Sequence, residues 1–149
     1  MPPLLRSVTF RCERFETRTP PPGAINPTCF GQDVAAWLRA ALPPALEPGE
    51  PIAEDYGWGI WTRAGADPYW IAIGLMDESE DGTPTPTWLI TAAYDPGLNL
   101  LRRLLHRPRR EDLDQVCRAI DEALHHDTGI SAVRWWEAQP FFGPGSEHP

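Results

Sequence analysis

Two neighbouring carboxylates, Glu54 and Asp55, are the residues best suited by type to acid–base chemistry. They precede a Tyr-Gly-Trp segment, where a loop is expected to enter a sheet. Desolvation or a nearby charge would have to shift the pKa of one carboxyl before it could exchange protons near neutral pH. Arg103 and His106 could complete such a pocket. These four residues define a candidate enzyme or small-ligand site, and a surface turn with an ion pair is the alternative.

Two other groupings have the residue types of metal sites without a complete ligand set. Cys117, Asp121 and His125 are four residues apart, so a helix would place them along one ridge. A buried thiol, a carboxylate and a His near the helix C-terminus explain the same pattern without a metal. Residues 77–82 look like the start of an EF-hand loop, but the twelfth position is Trp88 instead of a bidentate Glu. We therefore expect no metal and no cofactor.

A basic stretch lies close to His106. It contains five arginines within nine residues, and the remainder of the chain is acidic. Two interpretations are open: a solvated helix end and loop, or a patch for an anion or an acidic partner. The arginines are Arg102, Arg103, Arg107, Arg109 and Arg110.

Hydrophobic periodicity predicts the elements that must position these residues. Alternating apolar and polar residues predict strands, and apolar residues at helical spacing predict helices, the longest over residues 111–126. The order β-α-β-β-β-(α)-α-β predicts an α+β two-layer sandwich, a mostly antiparallel sheet of about five strands with helices on one face. The predicted strands cover 5–15, 56–63, 68–76, 87–94 and 130–136, and the predicted helices cover 32–42, 98–106 and 111–126.

The hairpin formed by the second and third strands predicts a sheet face built of small residues. If residue 63 pairs with residue 68, Trp61 lies opposite Trp70, and Gly59 lies opposite Ala72. The bulky aliphatic residues of both strands then fall on the other face, beneath the helices. Glycine weakens a strand unless a ligand or another backbone approaches closely. The small-residue face, continued by Arg63, is therefore a candidate surface for another protein or for a second copy of the chain.

A structural interpretation of the same pattern stays open. Trp61 and Trp70 would form a cross-strand pair, and the chain's own termini would cover the glycines, with Trp135, Phe141 and Phe142 as the covering side chains. Because strand side chains alternate, a register slip of one residue would move every one of these groups to the opposite face.

Length and composition limit the class of protein. The chain has 149 residues, of which 42% are hydrophobic, with seven tryptophans and a formal net charge of −8. These values predict one domain over residues 1–142, with a mobile tail over 143–149. No apolar run is long enough for a membrane span, and the N-terminal residues lack a signal-peptide pattern. The three cysteines do not form a disulfide framework, so a cytoplasmic location is expected.

Charge and missing motifs together favour a binding protein over an enzyme. The sequence contains no phosphate loop, nucleophile elbow or dinucleotide fingerprint. Its acidity disfavours a nucleic-acid partner, although two tryptophans on a sheet leave single-stranded RNA binding as the weakest alternative. The leading hypothesis is a small acidic protein that binds another protein, in the manner of an immunity protein, a toxin antagonist or an adaptor. An enzyme or ligand receptor is the second hypothesis.

Overall fold

The computed structural model describes residues 5–25, 29–76, 85–97 and 100–137, without the side chains of residues 100, 102 and 103. Its centre is a six-stranded antiparallel sheet with the order β2-β3-β4-β5-β1-β6. The strands are β1 (Leu5–Arg11), β2 (Ile52–Glu54), β3 (Gly57–Ala64), β4 (Asp67–Leu75), β5 (Thr87–Tyr94) and β6 (Ser131–Trp136). The helices are α1 (Gln32–Ala41), α2 (Leu100–Leu105) and α3 (Arg110–His126).

The predicted α+β sandwich is confirmed, with one more strand than expected. The additional strand is β2, which has three residues and pairs with the start of β3. Three residues are too short for a period-two pattern to stand out from a loop. The other strands and helices lie where the periodicity predicts them, with small differences at their ends.

Helices α1 and α3 pack on one face of the sheet and form the core with it. The stripe predicted on α3 is buried, as is the aliphatic side of the β3–β4 hairpin. Burying a Leu or Ile side chain of this kind contributes about 1.5–3 kcal/mol. The buried α3 residues are Leu113, Val116, Cys117, Ile120 and Leu124, and the buried hairpin residues are Trp58, Ile60, Tyr69, Ile71 and Ile73. Both helices lie on one side of the sheet. The opposite side, here called the outer face, carries the remaining strand residues.

Hydrogen bonds connect the ends of α1 and α3 to the segment that follows β1. Gly31, with φ 119°, occupies the N-cap position of α1. The carboxylate of Asp33, in the first turn of α1, accepts the backbone N–H of Glu16 at 2.8 Å, tying the segment after β1 to the helix. Asp127 is the C-cap residue of α3, and its carboxylate accepts two hydrogen bonds from the Arg14 guanidinium, at 3.0 and 2.7 Å.

The last strand is irregular where it pairs with β1. The pairing shifts register between Thr9 and Arg11, which marks a bulge. Ala132 lies in this part of β6 with φ 54°, a left-handed conformation that costs a residue with a Cβ about 1–2 kcal/mol. Among the strands that the structure describes, β2 and β6 form the two edges of the sheet.

Candidate functional site

The register predicted for the β3–β4 hairpin is confirmed. Trp61 pairs with Trp70, Gly59 pairs with Ala72, and Arg63 pairs with Pro68. Because side chains alternate along a strand and the aliphatic set packs against the helices, these residues belong to the outer face. The five residues predicted for partner binding therefore share one surface.

The two tryptophans form a cross-strand aromatic pair. Their ring centroids are 4.9 Å apart, and the rings are tilted by 60°. The Trp70 indole Nε1 donates a hydrogen bond to the Tyr56 hydroxyl at 2.8 Å, which fixes the orientation of its ring. Trp61 remains 38% exposed. In this pair, the Trp70 ring is held by a hydrogen bond and the Trp61 ring is accessible to solvent.

The surface at Gly59 is not open, because the Trp70 ring packs directly on this glycine. A Cβ atom added at Gly59 would lie 2.0 Å from Cζ2 of the Trp70 indole, well inside van der Waals contact. The glycine is buried under this ring. Close approach of an intramolecular side chain therefore explains this glycine, and the expectation that an external ligand requires it is corrected.

The cavity on this face lies on the other side of Trp70. It is an apolar cleft of about 430 Å³, here called the cleft, and no charged side chain is among its described lining residues. Its floor contains the small residues Ala72 and Gly74 beside Thr91, and Trp70 and Leu89 stand on either side. A volume of this size falls within the range of pockets that hold small ligands or an anchoring side chain. The lining residues are Tyr56, Trp70, Ala72, Ile73, Gly74, Leu75, Met76, Leu89 and Thr91.

A second, more polar depression lies on the far side of the tryptophan pair. It has a volume of about 440 Å³ and includes Trp61 and Arg63, together with Glu47 and Asp95. The Trp61–Trp70 pair is therefore a ridge between an apolar cleft and a charged depression. Such a division matches the arrangement of protein interfaces, in which an apolar centre has a polar rim.

Two carboxylates act electrostatically on Tyr56, which lines the cleft. Burial raises the pKa of the Tyr56 hydroxyl above its ordinary value, and the charges of Glu54 and Asp55 raise it further, while the hydrogen bond from Trp70 opposes this shift. Tyr56 consequently stays protonated at neutral pH. The backbone carbonyls of Glu54 and Asp55 accept the thiol of Cys29 at 3.0 and 3.2 Å, which holds this turn against the buried chain.

The alternative pocket is not assembled as predicted. His106 Nε2 lies 2.7 Å from the buried Asp67 carboxylate, at the start of β4. Glu54 and Asp55 lie at the other end of the hairpin, and the eight residues of β3 separate the two ends by about 23 Å. The Arg103 side chain is outside the described residues. Glu54 and Asp55 immediately precede Tyr56, which lines the cleft, but neither is among the cleft's described lining residues.

Three residues were predicted to cover the glycines of the outer face, and the structure describes one of them, Trp135. The indole of Trp135 points toward the helices, because its Nε1 donates to the Asp121 carboxylate of α3 at 2.7 Å. It therefore cannot cover the outer face, which corrects that expectation. Phe141 and Phe142 lie outside the described residues. The tryptophan that reaches the outer face is Trp136, whose Nε1 donates to the Thr9 hydroxyl at 3.1 Å.

The three residues predicted to lie along one ridge of α3, Cys117, Asp121 and His125, are buried or bonded within the protein. Cys117 is buried, and burial raises the pKa of its thiol to about 11. Asp121 holds Trp135, and His125 Nδ1 lies 2.9 Å from the Asp121 carbonyl oxygen. Within the described parts of the chain, no group of three or more His, Cys, Asp or Glu side chains is placed to hold a metal ion. The acidic residues 77–82 are outside those parts.

Sequence reasoning missed several residues of the cleft. Leu89 and Thr91 come from β5, which the sequence correctly predicts as a strand but does not place beside β4. The predicted strands included Tyr56 and Met76. Alternation would place Met76 on the same face as Ala72, as observed, but it would place Tyr56 beneath the helices, whereas Tyr56 lies just before β3 and lines the cleft. Trp70 and Ala72, both predicted for the small-residue face, are the cleft residues that the sequence indicated.

Comparison with known proteins found no matching family model, no matching curated protein and no matching solved structure. The function must therefore be inferred from the geometry of this site. No helix of the described residues has the length and apolar character needed to cross a bilayer.

Proposed function

We propose that the protein is a non-enzymatic binding domain that receives a basic protein partner on its outer face. The observation that carries this proposal is the apolar cleft of about 430 Å³ beside the partly exposed Trp61–Trp70 pair. Tryptophans next to a small apolar pocket are typical of the residues that dominate binding energy in protein interfaces. An immunity protein, a toxin antagonist and an adaptor all act by binding of this kind.

Charge supports a basic partner. The chain carries a net charge of −8, and the charges of Glu54 and Asp55 act on Tyr56, which lines the cleft. Opposite charge on the partner would accelerate association, and this acceleration would weaken as salt screens the charges over about 8–10 Å. The apolar cleft would then supply the short-range part of the binding.

The test compares variants of the full-length chain as baits in the native host, followed by affinity measurements with the purified partner. Trp61→Ala should raise the dissociation constant about five- to thirtyfold, equivalent to about 1–2 kcal/mol, while the melting temperature stays close to that of the wild type. Leu104→Ala is the matched control, because Leu104 is an equally apolar residue, 83% exposed, on α2. Equal binding of the wild type and Trp61→Ala would refute the proposal.

A small apolar ligand is the second candidate, favoured by the same cavity volume. The uncharged lining and the Trp70–Tyr56 hydrogen bond at one wall suit an uncharged planar molecule. Fragment screening by NMR would support this candidate if chemical shifts of Ala72 and Thr91 changed saturably. The RNA alternative gains no support from the geometry, since the Trp70 ring rests on Gly59 and is tilted against Trp61, so the pair does not offer two parallel stacking platforms.

A further inference from the structure

Two hydroxyl groups bond to each other beside the floor of the cleft. Ser7 of β1 and Thr91 of β5 are directly paired, and their Oγ atoms are 2.9 Å apart. Ser7 is fully buried, whereas Thr91 lines the cleft and is 7% exposed. A hydrogen bond between two hydroxyls uses only one of their two protons, so the other proton needs a different acceptor.

Burial decides which of these two protons is left for another group. Within the described part of the chain, the Ser7 side chain has Thr91 as its hydrogen-bond partner and no other. If Thr91 donated, the Ser7 proton would be buried without an acceptor, which is unfavourable for a hydroxyl. Ser7 is therefore the donor, and the Thr91 O–H is available to a group that enters the cleft.

Tyr56 supplies a second donor at the wall of the cleft. Its oxygen accepts the Trp70 N–H at 2.8 Å, so its own proton takes no part in that bond. The described residues place no other hydrogen-bond partner at this hydroxyl, and Tyr56 is 48% exposed. The Trp70 N–H is already used by Tyr56. The cleft thus offers two O–H donors, from Thr91 and Tyr56, in a lining that is otherwise apolar.

The charges around the cleft determine which acceptor fits these donors. No charged side chain is among its described lining residues, so an entering carboxylate or phosphate would lose hydration without gaining a counter-charge. The negative charges of Glu54 and Asp55, which act on Tyr56, disfavour an anion further. A carbonyl oxygen accepts two hydrogen bonds and carries no net charge. The group that bears it has to be apolar, to match the walls formed by Trp70 and Leu89.

We propose that the cleft receives an apolar group of the protein partner that bears an uncharged carbonyl oxygen, and that the Thr91 and Tyr56 hydroxyls are the donors that select it. This inference rests on the proposed function, because it specifies what the same cleft binds. The positive charges of a basic partner remain outside the cleft, where water hydrates them. Thr91 and Tyr56 then determine specificity, and Trp61 contributes apolar contact area.

The test uses the full-length chain with acetophenone, toluene and benzoate as probes, which share one ring and differ in the group attached to it. Binding is followed by the amide chemical shifts of Ala72 and Gly74 on the cleft floor. Acetophenone should bind with a dissociation constant of about 10 mM or lower, as expected for a ligand of its size. Benzoate should bind at least about tenfold more weakly. Weaker binding of acetophenone, or benzoate binding of equal strength, would overturn the inference.

The double variant Ser7→Ala/Thr91→Val removes the Thr91 donor without leaving a buried hydroxyl unpaired. It should weaken acetophenone binding about three- to tenfold and change toluene binding by less than about twofold, because toluene has no acceptor. Ser7→Ala alone is the matched control, since Thr91 keeps its proton and acetophenone should bind nearly as it does to the wild type. Equal losses for both probes, or an equal loss in the control, would contradict the role of Thr91.

Tyr56→Phe tests the second donor. The variant should weaken acetophenone binding at least about threefold more than toluene binding. Since phenylalanine cannot accept the Trp70 N–H, any change in the shape of the cleft affects both probes. Equal losses for the two probes would therefore remove Tyr56 from the proposal.

The probe titrations and the partner experiment fail separately. If the probes behave as described but no partner depends on Trp61, the proposed function fails and the selectivity of the cleft for a carbonyl stands. If Trp61→Ala weakens a partner that binds Ser7→Ala/Thr91→Val as tightly as the wild type, the proposed function stands and this inference fails.

Discussion

Replacing Gly59 by alanine tests whether the Trp70 indole has the position that defines the candidate surface. The new Cβ would be 2.0 Å from Cζ2 and 2.6 Å from Cε2 and Cη2 of that ring, so the ring has to move. Its movement would break the Nε1 hydrogen bond to Tyr56, worth about 0.5–1.5 kcal/mol, and the contact with Trp61, worth a similar amount. Alanine offsets about 0.5–1 kcal/mol of this loss because it restricts the unfolded chain.

The expected net effect of Gly59→Ala is a loss of about 1–2 kcal/mol in the free energy of unfolding, measured by urea denaturation. Gly49→Ala is the matched control, because the nearest atom to its new Cβ is the Trp61 carbonyl oxygen at 3.6 Å, an ordinary contact. The Gly49 variant should therefore have wild-type stability or slightly more.

A double-mutant cycle isolates the ring as the cause. In a Trp70→Ala background there is no indole above residue 59, so Gly59→Ala should cost nothing or stabilise the protein. The reasoning is refuted if Gly59→Ala is harmless in the wild type, or if it costs the same amount in both backgrounds.

Three further predictions concern the scaffold around the site. Asp127→Asn should lower the free energy of unfolding by about 0.5–1 kcal/mol at pH 7 through loss of the Arg14 ion pair. Because Arg14 lowers the pKa of the Asp127 carboxyl in the folded state, this contribution is complete above the ordinary pKa of 3.8 and is lost as the pH falls through the lower folded-state pKa. Urea denaturation of the two proteins should therefore differ in midpoint at pH values above 3.8 and converge only at lower pH. Ellman's reagent should label the three buried cysteines rapidly only after unfolding, and the high pKa of Cys117 should keep its thiol unreactive at pH 8, whereas fast labelling of the native protein would contradict its burial. Ala132→Gly should raise the free energy of unfolding by about 0.5–1 kcal/mol in the same denaturation assay, because glycine adopts a positive φ without strain. Glu47→Gly tests a second left-handed position in the same way. A loss of stability in both variants would show that the strain is misassigned.

The parts of the fold that depend on local pattern could be predicted from the sequence. The apolar stripe of α3 and the alternation in the β3–β4 hairpin each require burial on one side, so they fix both the element type and the face that turns inward. The register of the hairpin was a supposition that its short loop suggested, and the pairing of Trp61 with Trp70 followed from it. From this register, the surface that carries the five predicted residues could also be predicted.

The cleft could not be predicted, because it depends on which strands lie side by side. The sequence does not specify that β5 lies between β4 and β1, and this placement brings Leu89 and Thr91 next to Ala72. The orientation of the Trp70 side chain could not be predicted either, since its ring packs on Gly59 while its N–H donates to Tyr56, a residue outside β3 and β4. Trp135 and Trp136 show the same limit, because neighbouring residues of one short strand serve opposite faces.

The two edges of the sheet bear on how another chain can be recognised. Strand β2 offers three residues and follows Pro51, which has no N–H to donate, and β6 is interrupted by its bulge at Ala132. A strand from another chain can be added to a sheet only along a continuous run of free backbone donors and acceptors. A short or bulged edge strand interrupts that run. Both edges of the sheet therefore disfavour the addition of a strand from another chain, including the edge-to-edge growth that leads to fibrils. Recognition of a partner then depends on the shape and charge of side chains.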